Sequence, residues 1–262
     1  MHLIRILMKI VQIQLNVSWA DPEANIRRIE SLLGRVEDAD LVILPEMFTT
    51  GFVTTPDGLA EESPCRALEW MKEYAARADS AVCGSVALHE DGSYYNRLYF
   101  VSPDGNYAYY DKHHLFTYSG EHRTFTAGKE RCIVEWCGIR FMLAVCYDLR
   151  FPVWLRNCGD YDAIICVASW PKPRRKAWDT LVRARAIENQ CYFAAVNRVG
   201  LDPYCEYSGG TAFIDPCGET LSFVPDFEEG VSESELDMEA LEEFRAKFPV
   251  LEDADVFEIR LS

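Results

Sequence analysis

Glu46, Lys112 and Cys146 stand where apolar, strand-like runs give way to loops: Glu46 after LVIL in LPEMFTTGF, Lys112 in YDKHHLF, and Cys146 at the close of LAV in LAVCYDLRFP. Strand ends of this kind are where α/β sheets commonly place function. A carboxylate in a dry pocket can have its pKa raised enough to take a proton from a thiol. An ammonium nearby favours the thiolate and, later, the oxyanion of a tetrahedral intermediate. A turn directly after Cys146 also aims the Tyr147 backbone N–H at that oxyanion. The trio therefore holds the parts of an acyl-transfer site without a histidine. Taken singly, each residue reads as a surface glutamate, a surface lysine and a core cysteine. Their wide separation in sequence proves nothing by itself.

The elements that must position them are legible as hydrophobic periodicities. Alternation over Val11, Ile13, Leu15 and Val17 predicts a strand with those side chains on one face. The strand starts cleanly at Met8 in MKIVQIQLN, so the natural reading frame is expected to begin there, with residues 1–7 adding little. Asp21-Pro22 opens a helix whose apolar positions Ile26, Ile29, Leu32, Leu33 and Val36 keep helical spacing. Leu41 to Leu44 reads as a short buried strand, 62–78 as a helix with Leu68, Met71 and Ala75 inward, and 80–88 as a strand. Strands over 94–100 and 106–110 flank the turn Ser102-Pro103-Asp104-Gly105. After an irregular stretch over 111–129, strands over 132–136 and 139–145 meet at Cys137-Gly138. There follow a helix from about Phe151, a buried strand over 163–168, a helix over 174–189 and a strand over 192–197. A strand pair near 207–222, an acidic strand near 231–236, a short helix and a tail complete the chain. Strands and helices interleave without linker or repeat, which predicts a layered α/β (α+β) domain.

Composition narrows the function. The 262 residues carry 42 Asp and Glu against 26 Lys and Arg, a formal charge of -16. That balance argues against duplex nucleic acid or an anionic membrane surface as the main partner. No run approaches the roughly 18 apolar residues of a membrane helix, and no cleavage site follows the apolar N-terminus. No glycine-rich phosphate-binding motif occurs. The 10 cysteines include no C-x-x-C pair, and several lie in apolar runs such as IICVAS and NQCYFAAV. The expectation is reduced thiols in a cytoplasmic protein, most of them inert core. The His113-His114 pair sits beside no cysteine cluster, so no metal site is expected.

The segments LPEMF, YDKHHLF and CYDLRFP resemble the three signature segments of the nitrilase superfamily, the carbon–nitrogen hydrolases, in that family's order. The resemblance extends from MKIVQIQLN through RARAIENQCYFAAVNRVG to GGTAFIDPCGE. It implies Glu46 as general base, Lys112 as stabiliser of oxyanion and thiolate, and Cys146 as nucleophile. Glu121, in SGEHRTFTAG, matches a second family glutamate that positions substrate; a loop glutamate paired with Arg123 or His122 is the alternative. The family fold is a four-layer α-β-β-α sandwich, here a single domain over 1–262, usually a homodimer and without metal or organic cofactor. The tail from about 238 to 262, with Phe244, Phe248, Val250, Leu251, Val256 and Phe257, either crosses to a partner subunit or packs on its own domain.

Within the superfamily, YSGEHRTFTAG, ASWPKPRRKAW and RARAIENQ with NRVG are most similar to the omega-amidase branch. Members of that branch hydrolyse the side-chain amide of 2-oxoglutaramate and 2-oxosuccinamate, releasing ammonia through a thioester. Such a small-molecule substrate carries a carboxylate that a cation must meet. Arg174 is the candidate, with Trp170 as a pocket wall; Lys172 and Arg175 compete for the role. A basic loop balancing an acidic protein, with Trp170 and Trp178 as packing for the next helix, is the alternative. Also open are an amidase of the same superfamily for another small amide or carbamoyl compound, a non-catalytic thiol-rich scaffold, and a thiol-based metal or redox protein.

Overall fold

The alternation along the first strand sets the layering. The computed structural model of the chain describes residues 7–260, so the expected start at Met8 falls within it and residues 1–6 lie outside the described residues. β1 (Leu7–Gln14) runs through α1 (Pro22–Leu33) to a parallel β2 (Leu41–Ile43). There follow β3 (Glu61–Glu62), α2 (Arg66–Ala78), β4 (Ala81–Glu90), β5 (Ser93–Val101) and β6 (Tyr107–Asp111). The second half supplies β7 (Ile133–Trp136), β8 (Ile139–Val145), β9 (Ala163–Ala168), α3 (Arg175–Glu188) and β10 (Tyr192–Asn197). It ends with β11 (Val199–Leu201), β12 (Glu206–Ser208), β13 (Ala212–Ile214), β14 (Thr220–Phe223), β15 (Gly230–Asp237) and α4 (Met238–Lys247). One sheet has the order β15-β1-β2-β4-β5-β6, with β3 against β4; the other has the order β14-β13-β10-β9-β8-β7. β11 and β12 form a separate ribbon.

Successive side chains of a strand point to opposite faces. On β1, Val11 and Ile13 pack with Ile29, Leu32 and Leu33 of α1 and Leu68 and Met71 of α2. The alternate residues Met8 and Ile10 join a core shared with Phe141 and Leu143 of the second sheet. Phe100 on β5 and Phe141 on β8 stack across the two sheets with ring centroids 6.2 Å apart. α3 packs against β10 and β13 and buries Trp178, Val182 and Ala186. The layers are thus α-β-β-α, as the resemblance implied.

The two glutamines of β1 do not face water. Gln12 and Gln14 are both fully buried and bridge the sheets. The Gln12 amide donates to Ala195 O at 3.0 Å and Ala212 O at 3.1 Å. Gln14 donates to Pro225 O at 2.9 Å and Glu228 O at 2.8 Å, and its carbonyl accepts from Gly210 N and Thr211 N, each at 3.0 Å.

Three expectations change. The helix placed over 62–78 begins only at Arg66: Glu61 and Glu62 pair with Leu88 and His89 as β3, and Pro64 separates them from a helix capped by the Cys65 thiol, which accepts from Leu68 N at 3.2 Å. The helix expected from Phe151 is absent. In its place a 3₁₀ turn spans Cys146–Arg150, folded back by Asp148, and Pro152 lies in the turns that follow. Of the cysteines, only Cys65, Cys83, Cys166 and Cys191 are buried; Cys137, Cys158 and Cys217 are exposed, so the thiols are less a core feature than expected. In the tail, Met238 and Leu241 are buried and Arg245 pairs with Asp162 at 2.9 Å, so α4 packs on its own domain, while Phe248, Val256 and Phe257 are exposed. No helix among the described residues is long and apolar enough to cross a membrane.

Gln14→Leu keeps the side chain's volume but strands buried backbone groups on two loops. At about 1–3 kcal/mol per buried group left unpaired, the variant is expected to lose about 2–4 kcal/mol of unfolding free energy in urea titration. Leu201→Gln, at a position 71% exposed, is expected to stay within about 0.5 kcal/mol of the parent.

Candidate active site

The two sheets converge on a buried ion cluster. Glu46 follows the end of β2 and Lys112 the end of β6, while Glu121 opens a 3₁₀ turn in the irregular stretch beyond; all three are 0% exposed. Lys112 Nζ donates to Glu46 Oε1 at 3.0 Å and to both Glu121 oxygens at 3.1 and 2.9 Å. Glu46 Oε2 accepts from Ser169 N at 2.7 Å, just beyond β9, so the cluster spans both sheets. Asn96 on β5 donates to Glu46 Oε1 at 2.8 Å and Glu121 Oε1 at 3.2 Å. Glu121 thus pairs with Lys112, not with His122 or Arg123. The two carboxylates raise the Lys112 pKa against the pull of burial, so the ammonium stays charged. Burial raises Glu121, with Lys112 opposing and Glu46 adding to it. Every partner of Glu121 is nevertheless a donor, Phe116 N at 2.5 Å included, so it is held as the carboxylate at neutral pH.

Cys146 sits where β8 turns into its 3₁₀ segment, with a left-handed φ of 47°. Met47, next to Glu46, has φ 46°. Such conformations cost about 1–3 kcal/mol each and persist only where surroundings enforce them. Asp148 does the enforcing at Cys146. Its carboxylate accepts from Val145 N at 3.0 Å, Tyr110 Oη at 2.8 Å, and His114 N and Nδ1 at 2.9 and 2.8 Å. One buried aspartate therefore ties the cysteine turn to the segment carrying Lys112. Stacking reinforces the tie: His114 lies on Phe151 at 3.6 Å and His113 on Trp154 at 3.8 Å between centroids.

Burial, followed by the Glu46 charge, pushes the Cys146 thiol well above its ordinary range; Lys112 pulls it down and loses. Burial therefore favours the neutral form of Cys146, and the Lys112 ammonium opposes it. Glu46 Oε1 already accepts two hydrogen bonds and Oε2 one, which leaves a lone pair on Oε2 for a proton. Tyr147 N–H lies in the first turn of a 3₁₀ helix, where no intrahelical acceptor exists, and is available to an oxyanion. The Tyr147 ring packs 5.0 Å from Phe116 and 5.1 Å from Phe151.

Trp170 is 2% exposed and fixed from several sides. Its backbone N–H donates to Asn197 Oδ1 at 2.8 Å, its indole N–H to Arg174 O at 2.8 Å, and Arg150 lies 4.8 Å over its ring. Trp178 is packing, 0% exposed with its indole N–H on Gly210 O. The three competing cations separate clearly. Lys172 pairs with Glu206 at 2.7 Å, and Arg175 with Asp179 and Asp226 at 2.6 and 2.8 Å. Arg174 has no carboxylate partner among the described residues and lies 5.0 Å over Phe116 and 5.9 Å from Tyr118. No group of three metal-ligating side chains is present among the described residues.

Sequence reasoning missed Asn96, Asp148 and Ser169. Asn96 carries a readable signal, a lone amide inside the strand YYNRLYFV; Asp148 stands in the quoted CYDLRFP but was passed over. Ser169 acts through its backbone, which no side-chain reading can find.

The carbon-nitrogen hydrolase family model matches residues 9–246. The chain is 42% identical over 253 residues to an omega-amidase of Yersinia enterocolitica, covering 95% of this chain and 98% of that one. It is 36% identical over 247 residues to a 2-oxoglutaramate amidase of Bacillus subtilis, covering 92% and 95%. Among solved structures, a CN-hydrolase superfamily protein of Xanthomonas campestris with an arsenic adduct in its active site superposes with a TM-score of 0.94 at 42% identity, covering 97% of this chain and 100% of that one.

Removing one partner of a buried ion pair leaves the other charge stranded. Lys112→Met is expected to cost about 3–5 kcal/mol of unfolding free energy. Adding Glu121→Gln to Lys112→Met is expected to recover part of that loss, read by urea unfolding of the single and double variants.

Proposed function

The chain belongs to the carbon–nitrogen hydrolase family and is an amidase of it, and we propose that it hydrolyses the side-chain amide of a small 2-oxo acid such as 2-oxoglutaramate or 2-oxosuccinamate, with Cys146 as nucleophile. The observation that carries the substrate class is the state of Arg174. Its neighbours Lys172 and Arg175 are neutralised by carboxylates, while Arg174 keeps its charge free above Phe116, whose backbone N–H holds Glu121. A protein of formal charge -16 that binds an anionic amide needs such a locally free cation. The omega-amidase and 2-oxoglutaramate amidase relatives support the same class.

In this reading Cys146 Sγ attacks the amide carbon while its proton passes to Glu46 Oε2. The oxyanion meets Tyr147 N–H and the Lys112 ammonium, which trades one of its two Glu121 contacts for it. Glu46 returns the proton to the nitrogen, the C–N bond breaks and ammonia leaves, giving a thioester on Cys146. Glu46 then takes a proton from water, the hydroxide adds to the thioester carbon, and the thiol departs with that proton. Glu121 positions Lys112 and the Phe116 segment throughout. Trp170 forms the wall and Arg174 receives the substrate carboxylate.

Cys146→Ala is expected to abolish ammonia release from 2-oxoglutaramate with an unchanged melting curve; retained release sinks the assignment. Across 2-oxoglutaramate, 2-oxosuccinamate, glutamine and asparagine, a preference for glutamine over its 2-oxo analogue contradicts the substrate class. Arg174→Leu is expected to raise KM for 2-oxoglutaramate about 10- to 100-fold, the value of a charge-assisted contact, with kcat little changed. Hydrolysis of a neutral aliphatic amide by the same variant should be unaffected.

A further inference from the structure

Two carboxylates that share a dry site ordinarily share a proton as well, because like charges at short range cannot both stay ionised. Glu46 and Glu121 are in that position, both fully buried and both on the same ammonium. A base that has already taken such a proton is useless to the Cys146 thiol. The Lys112 ammonium between them offsets much of that repulsion, and the remaining donors decide which lone pairs stay open.

The amide of Asn96 is placed to do so. Glu46 Oε1 accepts from Lys112 at 3.0 Å and from Asn96 at 2.8 Å. Glu121 Oε1 accepts from Lys112 at 3.1 Å and from Asn96 at 3.2 Å. Donors and acceptors alternate around a closed circuit, and the facing lone pairs of both Oε1 atoms are filled by N–H groups. The amide orientation follows from chemistry, since two carboxylates accept and cannot donate to the Asn96 carbonyl. Its position is fixed by the sheet: Asn96 pairs with Ala87 on β4, and its own carbonyl accepts the Lys112 backbone N–H at 3.0 Å. One residue thus touches all three charged partners. Asn96 Oδ1 has no partner among the described residues, a cost that an ordinary core position would shed by substitution. The other groups facing the pair are the Cys146 thiol from the end of β8, the Ser169 backbone N–H just beyond β9 and the Phe116 backbone N–H on Glu121.

We propose that Asn96 is a positioning residue: by giving one amide hydrogen to each of Glu46 and Glu121 it fills the facing lone pairs of both and leaves Glu46 Oε2 as the oxygen free to take the thiol proton. This deepens the reading of Glu46 as base and rests on it. The test is the pH profile of ammonia release from 2-oxoglutaramate by Asn96→Leu and Asn96→Gln. Without donors, the Leu variant should move the acid limb of kcat/KM upward by about one pH unit or more. Its kcat should fall roughly 10- to 100-fold with KM nearly constant. Asn96→Gln retains two donors on a longer arm and should keep the acid limb near that of the parent even where kcat falls. Equal loss in both variants with an unmoved limb assigns Asn96 a merely structural role and overturns the proposal. Infrared difference spectra of the parent protein labelled with ¹³C-glutamate test the same point without any variant. No protonated buried carboxyl band is expected across the active pH range, and such a band at neutral pH overturns the proposal. Parent protein that shows no amidase activity, yet lacks that band, instead counts against the functional reading alone.

Discussion

A single ammonium, buried at 0% exposure between two carboxylates, is the constraint around which the molecule is arranged. Isolated, such a charge is intolerable in a protein interior; it persists because Glu46 and Glu121 repay its desolvation with short, directed contacts. The need to bring those partners together dictates where the sheets must end. Glu46 and Lys112 leave one sheet, Ser169 closes on Glu46 from the other, and any slip between layers leaves a charge unpaired. The layered fold and the site are therefore one electrostatic problem with one solution.

The cysteine turn depends on the same arrangement by a separate route. Asp148 receives donors from Val145 on its own side and from Tyr110 and His114 on the lysine side. Tyr110 is itself saturated, accepting from His113 N at 3.1 Å and the Trp154 indole at 3.0 Å. The left-handed Cys146 is thus anchored to the elements that place Lys112.

Much of this was legible in the sequence, and the gaps have physical causes. The apolar faces of β1, α1 and α2 followed from periodicity, because Val11, Ile13, Ile29 and Met71 answer to a simple inside-or-outside rule. Glu46, Lys112 and Cys146 were visible as unusual residues at strand ends, and the family resemblance supplied Glu121. What failed were positions where burial and polarity coincide. Gln12 and Gln14 obey the alternation yet face the second sheet, since period two fixes a side but not what lies on it. The helix expected from about Phe151 does not form: residues 152–155 make only turns, with Leu155 N on Phe151 O and Arg156 N on Val153 O, each at 3.4 Å. Among Lys172, Arg174 and Arg175 the sequence favoured Arg174 but could not separate it from its two competitors. Only the tertiary placement of Glu206, Asp179 and Asp226 singles one out.

The place of β1 in its sheet also bears on how the chain is made. β1 lies between β2 and β15, with Leu7 to Gln14 paired along Asp237 to Gly230. During synthesis from the N-terminus, one full edge of β1 stays unpaired until nearly the entire chain has been made. The Gln12 and Gln14 latches likewise await partners almost 200 residues downstream, as in the contact between Gln14 and Thr211 at a separation of 197. Closure of this sheet is a late, non-local event, and the nascent molecule carries an apolar strand with an open edge for most of its elongation. The same long-range ties that close the finished core are the contacts whose sequence separation costs most to form.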